Sequence, residues 1–311
     1  MLSRTNLNFF RGARSRKILI IGGTYFLGKA FKELMLEEGG TELTLLHRSK
    51  SADPDVKEIT ADRHDLQALK RIPYEHYDAI VDFCAYQKGD IESLLENINV
   101  EIDQYIFIST SDVYKRGTGT IQNEDAELED RDFGGEAGAY ISGKVSLERE
   151  IAGACAAKGC KYTVLRPVFI FGEENYAPRE DIFFQWIDKA GQIIYPVNAT
   201  GEFQLVYVKD VANAIKLVIA NKDAYDRAFN VCEDKMYTYE SFAELLRKAT
   251  QKDFTLAEVS VETVNEKGIP LPFPLTEPES NCYNGERIAA LGLRFTDNVS
   301  AMAATYQYSR R

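Results

Sequence analysis

Strand-length apolar runs alternate with helical stretches along the first half of the chain. Lys17–Ile21 reads as a buried strand, and Phe26–Glu38 as a helix ended by Gly39-Gly40. The same alternation predicts strands at Leu43–Leu46, Val56–Thr60, Ala79–Phe83, Gln104–Ser109 and Thr163–Pro167. It predicts helices around Asp65–Arg71, over Asp90–Asn97 and over Gly138–Ala157. Apolar strands separated by helices imply an α/β fold with a doubly wound parallel sheet. Ligands of such sheets sit beyond the carboxyl ends of the strands, so the residues just after each strand are the ones to inspect. After residue 167 the alternation loosens. Helices are expected over Ile182–Ala190, Val211–Ala220 and Tyr239–Ala249, and Phe203–Val208 is a further apolar segment. Residues 262–281 are rich in turn residues, with Pro270, Pro272, Pro274 and Pro278.

The turn after the first strand narrows the fold to a Rossmann type. Gly22-Gly23-Thr24-Tyr25-Phe26-Leu27-Gly28 joins strand to helix, a geometry that aims backbone N–H groups and the positive helix end at an anion. A dinucleotide fingerprint has three glycines at three-residue spacing. Gly22 and Gly28 hold the outer places and Tyr25 the middle one. The expected organisation is a tail over 1–16, a dinucleotide-binding domain over 17–167, and a smaller, mainly substrate-binding α/β region over 168–311, partly interleaved with the first domain.

Composition removes several classes. Hydrophobic residues make up 45% of the 311, enough for a substantial core. With 37 basic and 48 acidic residues the formal charge is −11, which argues against a nucleic-acid surface as the main business. Five irregularly spaced cysteines read as reduced cytoplasmic thiols. No apolar run approaches the roughly 20 residues of a membrane span. His47, His64 and His76 lack metal-ligand spacing, so no metal site is expected. Residues 1–16 carry Arg4, Arg11, Arg14 and Arg16 and no acid, and read as a disordered or added tail, an upstream start or an organelle-type presequence.

Tyr140 and Lys144 are four apart on the long helix and so share a face. A lysine there can lower the phenol's pKa, letting it exchange a proton with a substrate hydroxyl or carbonyl. Alone the pair is common on solvated helix faces. Its context is the glycine turn upstream and the hydroxyl-rich strand end Ser109-Thr110-Ser111-Asp112-Val113-Tyr114 between them.

With Val81-Asp82-Phe83-Cys84-Ala85, Leu165-Arg166-Pro167, Tyr207-Val208-Lys209-Asp210 and Phe229-Asn230-Val231, the chain resembles an extended short-chain dehydrogenase/reductase of the NAD-dependent epimerase/dehydratase group over residues 17–300. The resemblance implies an NAD(P)-dependent epimerase, dehydratase or reductase acting at a carbinol or carbonyl carbon, such as that of a sugar or nucleotide-sugar. It implies Tyr140 as acid/base, Lys144 on the nicotinamide ribose, and Thr110 on the reacting oxygen, with Ser109 and Ser111 flanking it. Gly22, Thr24, Tyr25, Phe26, Leu27 and Gly28 would hold the pyrophosphate. Phe83, Cys84, Ala85, Ser109, Pro167 and Val168 would line the cofactor, and Asp62 and Arg63 would meet the adenine. A homodimer through the Tyr140 helix is also implied.

Some positions depart from the pattern. At the end of the second strand His47 stands where an NAD-specific member has an acid, and Arg48 follows, which favours NADP over NAD. Tyr25 resembles an atypical Gly-Gly-Thr-x-Phe-x-Gly subgroup that includes chloroplast stem-loop-binding proteins and members without catalysis, so a dinucleotide-binding regulatory or RNA-associated protein is the alternative. The family's diphosphate anchors correspond to Phe169 and to Phe203 or Gln204, leaving Arg179 as the candidate clamp. Ser111 and Asp112 are substrate-side candidates, Asp112 either as a second acid/base or as a cap. The expected partner is a small molecule, with no membrane.

Overall fold

The computed structural model describes residues 15–49, 53–118 and 120–311. Residues 1–14 of the expected tail lie outside the described residues, and Arg16 already belongs to the first strand. In chain order the first half is β1 (Arg16–Ile21), α1 (Phe26–Glu38), β2 (Thr41–His47), β3 (Lys57–Thr60), α2 (Leu66–Lys70), β4 (Glu75–Tyr77), β5 (Ala79–Asp82), α3 (Asp90–Asn97), β6 (Val100–Ile102), β7 (Gln104–Ile108), α4 (Gly135–Lys158) and β8 (Lys161–Pro167). The second half is β9 (Phe169–Phe171), α5 (Glu180–Ala190), β10 (Gln192–Pro196), β11 (Leu205–Tyr207), α6 (Val208–Val218), β12 (Arg227–Val231), α7 (Tyr239–Thr250), β13 (Thr255–Val259), α8 (Val261–Lys267), α9 (Glu286–Ala290) and α10 (Asn298–Ser309).

The main sheet has seven parallel strands in the order β12-β8-β7-β5-β1-β2-β3. The chain leaves β1 toward β2 and β3, then crosses back to β5. That reversal opens a crevice beyond the carboxyl ends of β1 and β5, where ligands of open α/β sheets bind. Three two-stranded parallel pairs surround the sheet: β4 with β6, β9 with β11, and β10 with β13.

Because both faces are covered, the central strands are apolar throughout and their alternate residues enter two different cores. Ile18, Ile20, Val81 and Ile106 pack with Phe31 and Met35 of α1 and Val211 and Ile215 of α6. Leu19, Ile21, Ile80 and Phe107 pack with Ile91 and Leu94 of α3 and Leu147 and Ile151 of α4. Helix α4 ends at Gly159, whose left-handed φ lets Gly159 and Cys160 both donate N–H groups to the Cys155 carbonyl. The edge strand β12 comes from the C-terminal half of the chain and pairs with β8, Phe229 beside Leu165.

Candidate active site

The turn after β1 is built from glycine for steric reasons. Gly22 and Gly23 have φ of +82° and +79°. A Cβ on Gly22 would lie 2.1 Å from Cys84 Sγ, on Gly23 2.6 Å from Ile20 Cγ2, and on Gly28 2.2 Å from Gly23 Cα. The three glycines thus press β1, the loop after β5 and α1 together. Tyr25 is extended, at φ −130° and ψ 152°, and 79% exposed, and it belongs to the cleft lining with the glycines on either side of it. No side chain caps α1 and its first turn holds no acid. An uncapped, acid-free helix start behind a tight glycine turn fits a pyrophosphate.

The turn opens into a cleft of about 1220 Å³. At one end stand His47, Arg48, Asp62 and His64. His47 is buried and neither ring nitrogen has a hydrogen-bond partner. The Asp62 carboxyl is held below its usual range, chiefly by the N–H of His64, with the Arg48 charge contributing. Arg63 lines the cleft but is buried, and its terminal nitrogens are spent. Nη1 donates to both oxygens of Asp82 at 3.0 and 2.8 Å, and Nη2 to the Asp90 carbonyl at 2.8 Å. Asp82 also accepts from the Cys84 N–H at 2.7 Å and from the Tyr105 hydroxyl. The residue expected beside the adenine therefore also anchors the loop after β5.

Thr110, Tyr140 and Lys144 come together at the centre of the cleft. Lys144 is buried and donates to the carbonyls of Ala85 and Ile108, each at 2.8 Å. Burial pulls its pKa down to about 8, with the Asp82 charge opposing. Tyr140 opens into the cleft, yet its enclosed phenol is pushed up to about 12 by burial, aided by the Asp112 charge and opposed by a Thr110 hydrogen bond and by Arg179. The expected lowering by Lys144 is absent here: its ammonium lies 5.8 Å from the Tyr140 ring centre and is aimed at carbonyls. Phe83, Cys84, Ser109, Pro167 and Val168 line the cleft, whereas Ala85 is fully buried behind its wall. Burial keeps the Cys84 thiol protonated, raised to about 11.

A buried polar chain fixes these elements. Ser109 and Arg166 both donate to the Glu148 carboxylate, Arg166 Nη1 donates to the Tyr114 hydroxyl at 2.7 Å, and that hydroxyl donates to Asn230 Oδ1 at 2.6 Å. Tyr140, Lys144 and Glu148 follow at four-residue steps along α4, so Glu148 ties the catalytic-looking stripe to β7, β8 and β12.

The cleft lining also includes Phe169, Leu271, Phe273 and Tyr283, with Ser111, Asp112, Arg116 and Arg179 as polar residues, and Tyr176, which packs edge-on against Phe26. Phe203 is buried and stacked on Phe273 at 4.0 Å between ring centres. Gln204 spends its amide on the carbonyls of Glu233 and Tyr283 and on the Tyr283 N–H. Neither offers a free donor to a diphosphate. Sequence reasoning missed Gly23, Arg116, Tyr176, Tyr283 and the 271–274 wall. Gly23 was legible beside Gly22, but the others reach the cleft only through long-range packing.

Residues 18–232 match the sequence profile of the NAD dependent epimerase/dehydratase family. The chain belongs to that family. Among its curated relatives is a chloroplast stem-loop binding protein of 41 kDa from Arabidopsis thaliana, 28% identical over 258 residues, which are 78% of this chain and 65% of the relative. The chain thus spans less than two thirds of that relative's length. Similar solved folds include UDP-glucose 4-epimerase of Thermotoga maritima with UDP-glucose (TM-score 0.73, 17% identity, 94% of this chain and 98% of that one). UDP-glucuronic acid 4-epimerase of Bacillus cereus, with UDP-glucuronic acid and NAD, gives a TM-score of 0.71 at 16% identity over 94% and 99% of the two chains.

The family likeness corrects the cofactor expectation. Solved relatives described with their dinucleotide carry NAD, not NADP. A physical reason lies in the same cleft: Asp62, after β3, supplies a carboxylate beside Arg48, and a carboxylate there repels a 2′-phosphate. Among the described residues no helix is long and apolar enough to cross a membrane. One group that could hold a metal ion, His76 with Asp78 and Asp103, lies outside the cleft lining.

Proposed function

We propose that the protein is an NAD-dependent epimerase-, dehydratase- or reductase-type enzyme acting at a carbinol or carbonyl carbon of a sugar-like substrate. The observation that carries this reading is the place of Tyr140. It lines the cleft together with Thr110, the uncapped start of α1 and the Phe169 and Phe273 rings, with Lys144 one turn away on α4.

Bound NAD supplies the hydride acceptor. Gly22 to Gly28 hold the pyrophosphate at the start of α1, Asp62 takes the adenosine end, and Lys144 fixes the nicotinamide ribose. Thr110 holds the reacting oxygen. With its pKa near 12, Tyr140 is a protonated donor at neutral pH in the free protein, ready to give a proton to a carbonyl oxygen. Substrate alcohol oxidation needs the reverse transfer, so Tyr140 must become more acidic in the loaded site.

Tyr140→Phe tests the reading. Turnover should fall by about 10²–10⁴-fold while NAD affinity stays within about threefold. A mutant as active as the parent sinks the role. Binding of structured RNA is the second reading, supported by the stem-loop binding relative and opposed by the charge of −11. It requires RNA retention at low salt, where electrostatic binding is strongest.

A further inference from the structure

The substrate half of the cleft holds two guanidinium groups that the hydride-transfer reading leaves without a task. Arg116 donates from Nη2 to Asp112 Oδ1 at 3.0 Å, but its enclosed Nε has no hydrogen-bond partner. Arg179 donates from Nη1 to the Ile170 carbonyl at 3.2 Å and stands 5.4 Å from the Phe169 ring centre. Both line the cleft with Tyr140. Asp112, the partner of Arg116, and Arg179 itself both act electrostatically on the Tyr140 phenol. A guanidinium has five donors in a planar fork, and an enclosed donor left without an acceptor is costly. An incoming oxyanion can pair with the guanidinium donors that remain open to the cleft.

The remaining lining restricts where that anion sits. The positions where the family's diphosphate anchors would fall are Phe169, which is apolar, and Phe203 and Gln204, which are already packed or bonded. The carboxylate of Glu279 is bonded to the N–H groups of Leu275 and Thr276 at 2.8 and 3.3 Å. Leu271, Pro272, Phe273 and Pro274 make the far wall apolar. The cationic donors on this part of the lining are therefore Arg116 and Arg179.

Building on the function proposed above, we infer that Arg116 and Arg179 form an oxyanion subsite for a carboxylate or phosphate monoester carried by the substrate's own polyhydroxylated skeleton. The substrate is then a sugar acid or a sugar phosphate, with the reacting carbinol at Tyr140 and its C–H face against Phe169 and Phe273.

The test uses the full chain loaded with NADH, reading bound-NADH fluorescence as D-glucuronate, D-glucose 6-phosphate, neutral D-glucose and UDP-glucose are titrated. Either the carboxylate or the phosphate should bind at least about tenfold tighter than glucose, which also tells the two apart. Arg116→Met and Arg179→Met should each weaken that anion about tenfold or more, with NADH affinity within about twofold, and Arg116→Lys should recover part of the loss. Urea midpoints equal to the parent's establish that the variants fold. Equal binding of all four ligands, variants that bind the anion like the parent, or tightest binding of UDP-glucose unaffected by either variant overturns the subsite while NADH binding stands. Failure of NADH to bind overturns the function proposal and the subsite with it.

Discussion

Gly143 lies so close to the carbonyl of Tyr86 that a Cβ at position 143 would stand 1.9 Å from that oxygen. The glycine between Tyr140 and Lys144 lets α4 press on the loop whose Ala85 carbonyl receives the Lys144 ammonium. Gly143→Ala should force the two apart and cost about 1–3 kcal/mol, despite alanine's better helix propensity. Urea unfolding checks this, and a mutant at or above parental stability would show that the loop yields freely.

Lys144 has a sign-defined pH signature. Its folded pKa of about 8 lies below the ordinary 10.5, so between those values the unfolded chain binds more protons than the folded one. The lysine's burial penalty is full below pH 8 and fades as pH rises to 10.5, a swing of up to about 3 kcal/mol. The parent should therefore gain stability relative to Lys144→Met between pH 8 and pH 10.5. Paired urea titrations at the two ends measure it, and a constant difference would mean that the ammonium is not desolvated.

The two non-equivalent changes in the phosphate turn should separate cleanly. Tyr25→Gly removes an exposed side chain and should alter NAD affinity by no more than about threefold. Gly23→Ala places a Cβ against Ile20 at φ +79° and should lower stability by about 1–3 kcal/mol, weakening NAD binding with it. Calorimetric titration with NAD distinguishes them, and the opposite order of effects would refute the geometry.

Glu148 and Arg166 form a pair buried on both sides. Glu148→Ala alone should cost about 3–5 kcal/mol, because it strands a buried guanidinium. Glu148→Met combined with Arg166→Met should recover part of that loss. Chemical denaturation of the set tests it, and a double mutant no better than the single would argue that the Tyr114–Asn230 arm dominates.

The sequence disclosed the first half of the fold well, for a physical reason. Central parallel strands are apolar on both faces, so Lys17–Ile21 and Gln104–Ser109 announced themselves as β1 and β7 within one residue at either end. Where burial relies on small or polar residues the signal failed. Helix α10 buries Ala301, Met302, Thr305 and Tyr306 at helical spacing, yet alanine and threonine mark no apolar stripe. The three-residue strands β4, β6 and β9 are too short for a period to register. In the site, Thr110, Tyr140 and Lys144 were legible because a spaced motif carries them. Arg116 was not, because only the tertiary fold brings it into the cleft lining with Tyr283. The pKa logic of Tyr140 was also hidden, since burial of the phenol is the largest influence and two of the three Lys144 donors are aimed at backbone carbonyls.

The edge strand β12 carries a consequence for biosynthesis. A nascent chain emerging N-terminus first completes β8 at Pro167 but must wait for residues 227–231 before that strand's outer edge is covered. Throughout that interval the ribosome-bound intermediate presents an unpaired row of amides and carbonyls to any passing chain. Premature termination anywhere in the gap would leave an aggregation-prone fragment, so protection by chaperones during elongation matters more for this molecule than for one whose sheet closes in sequence order.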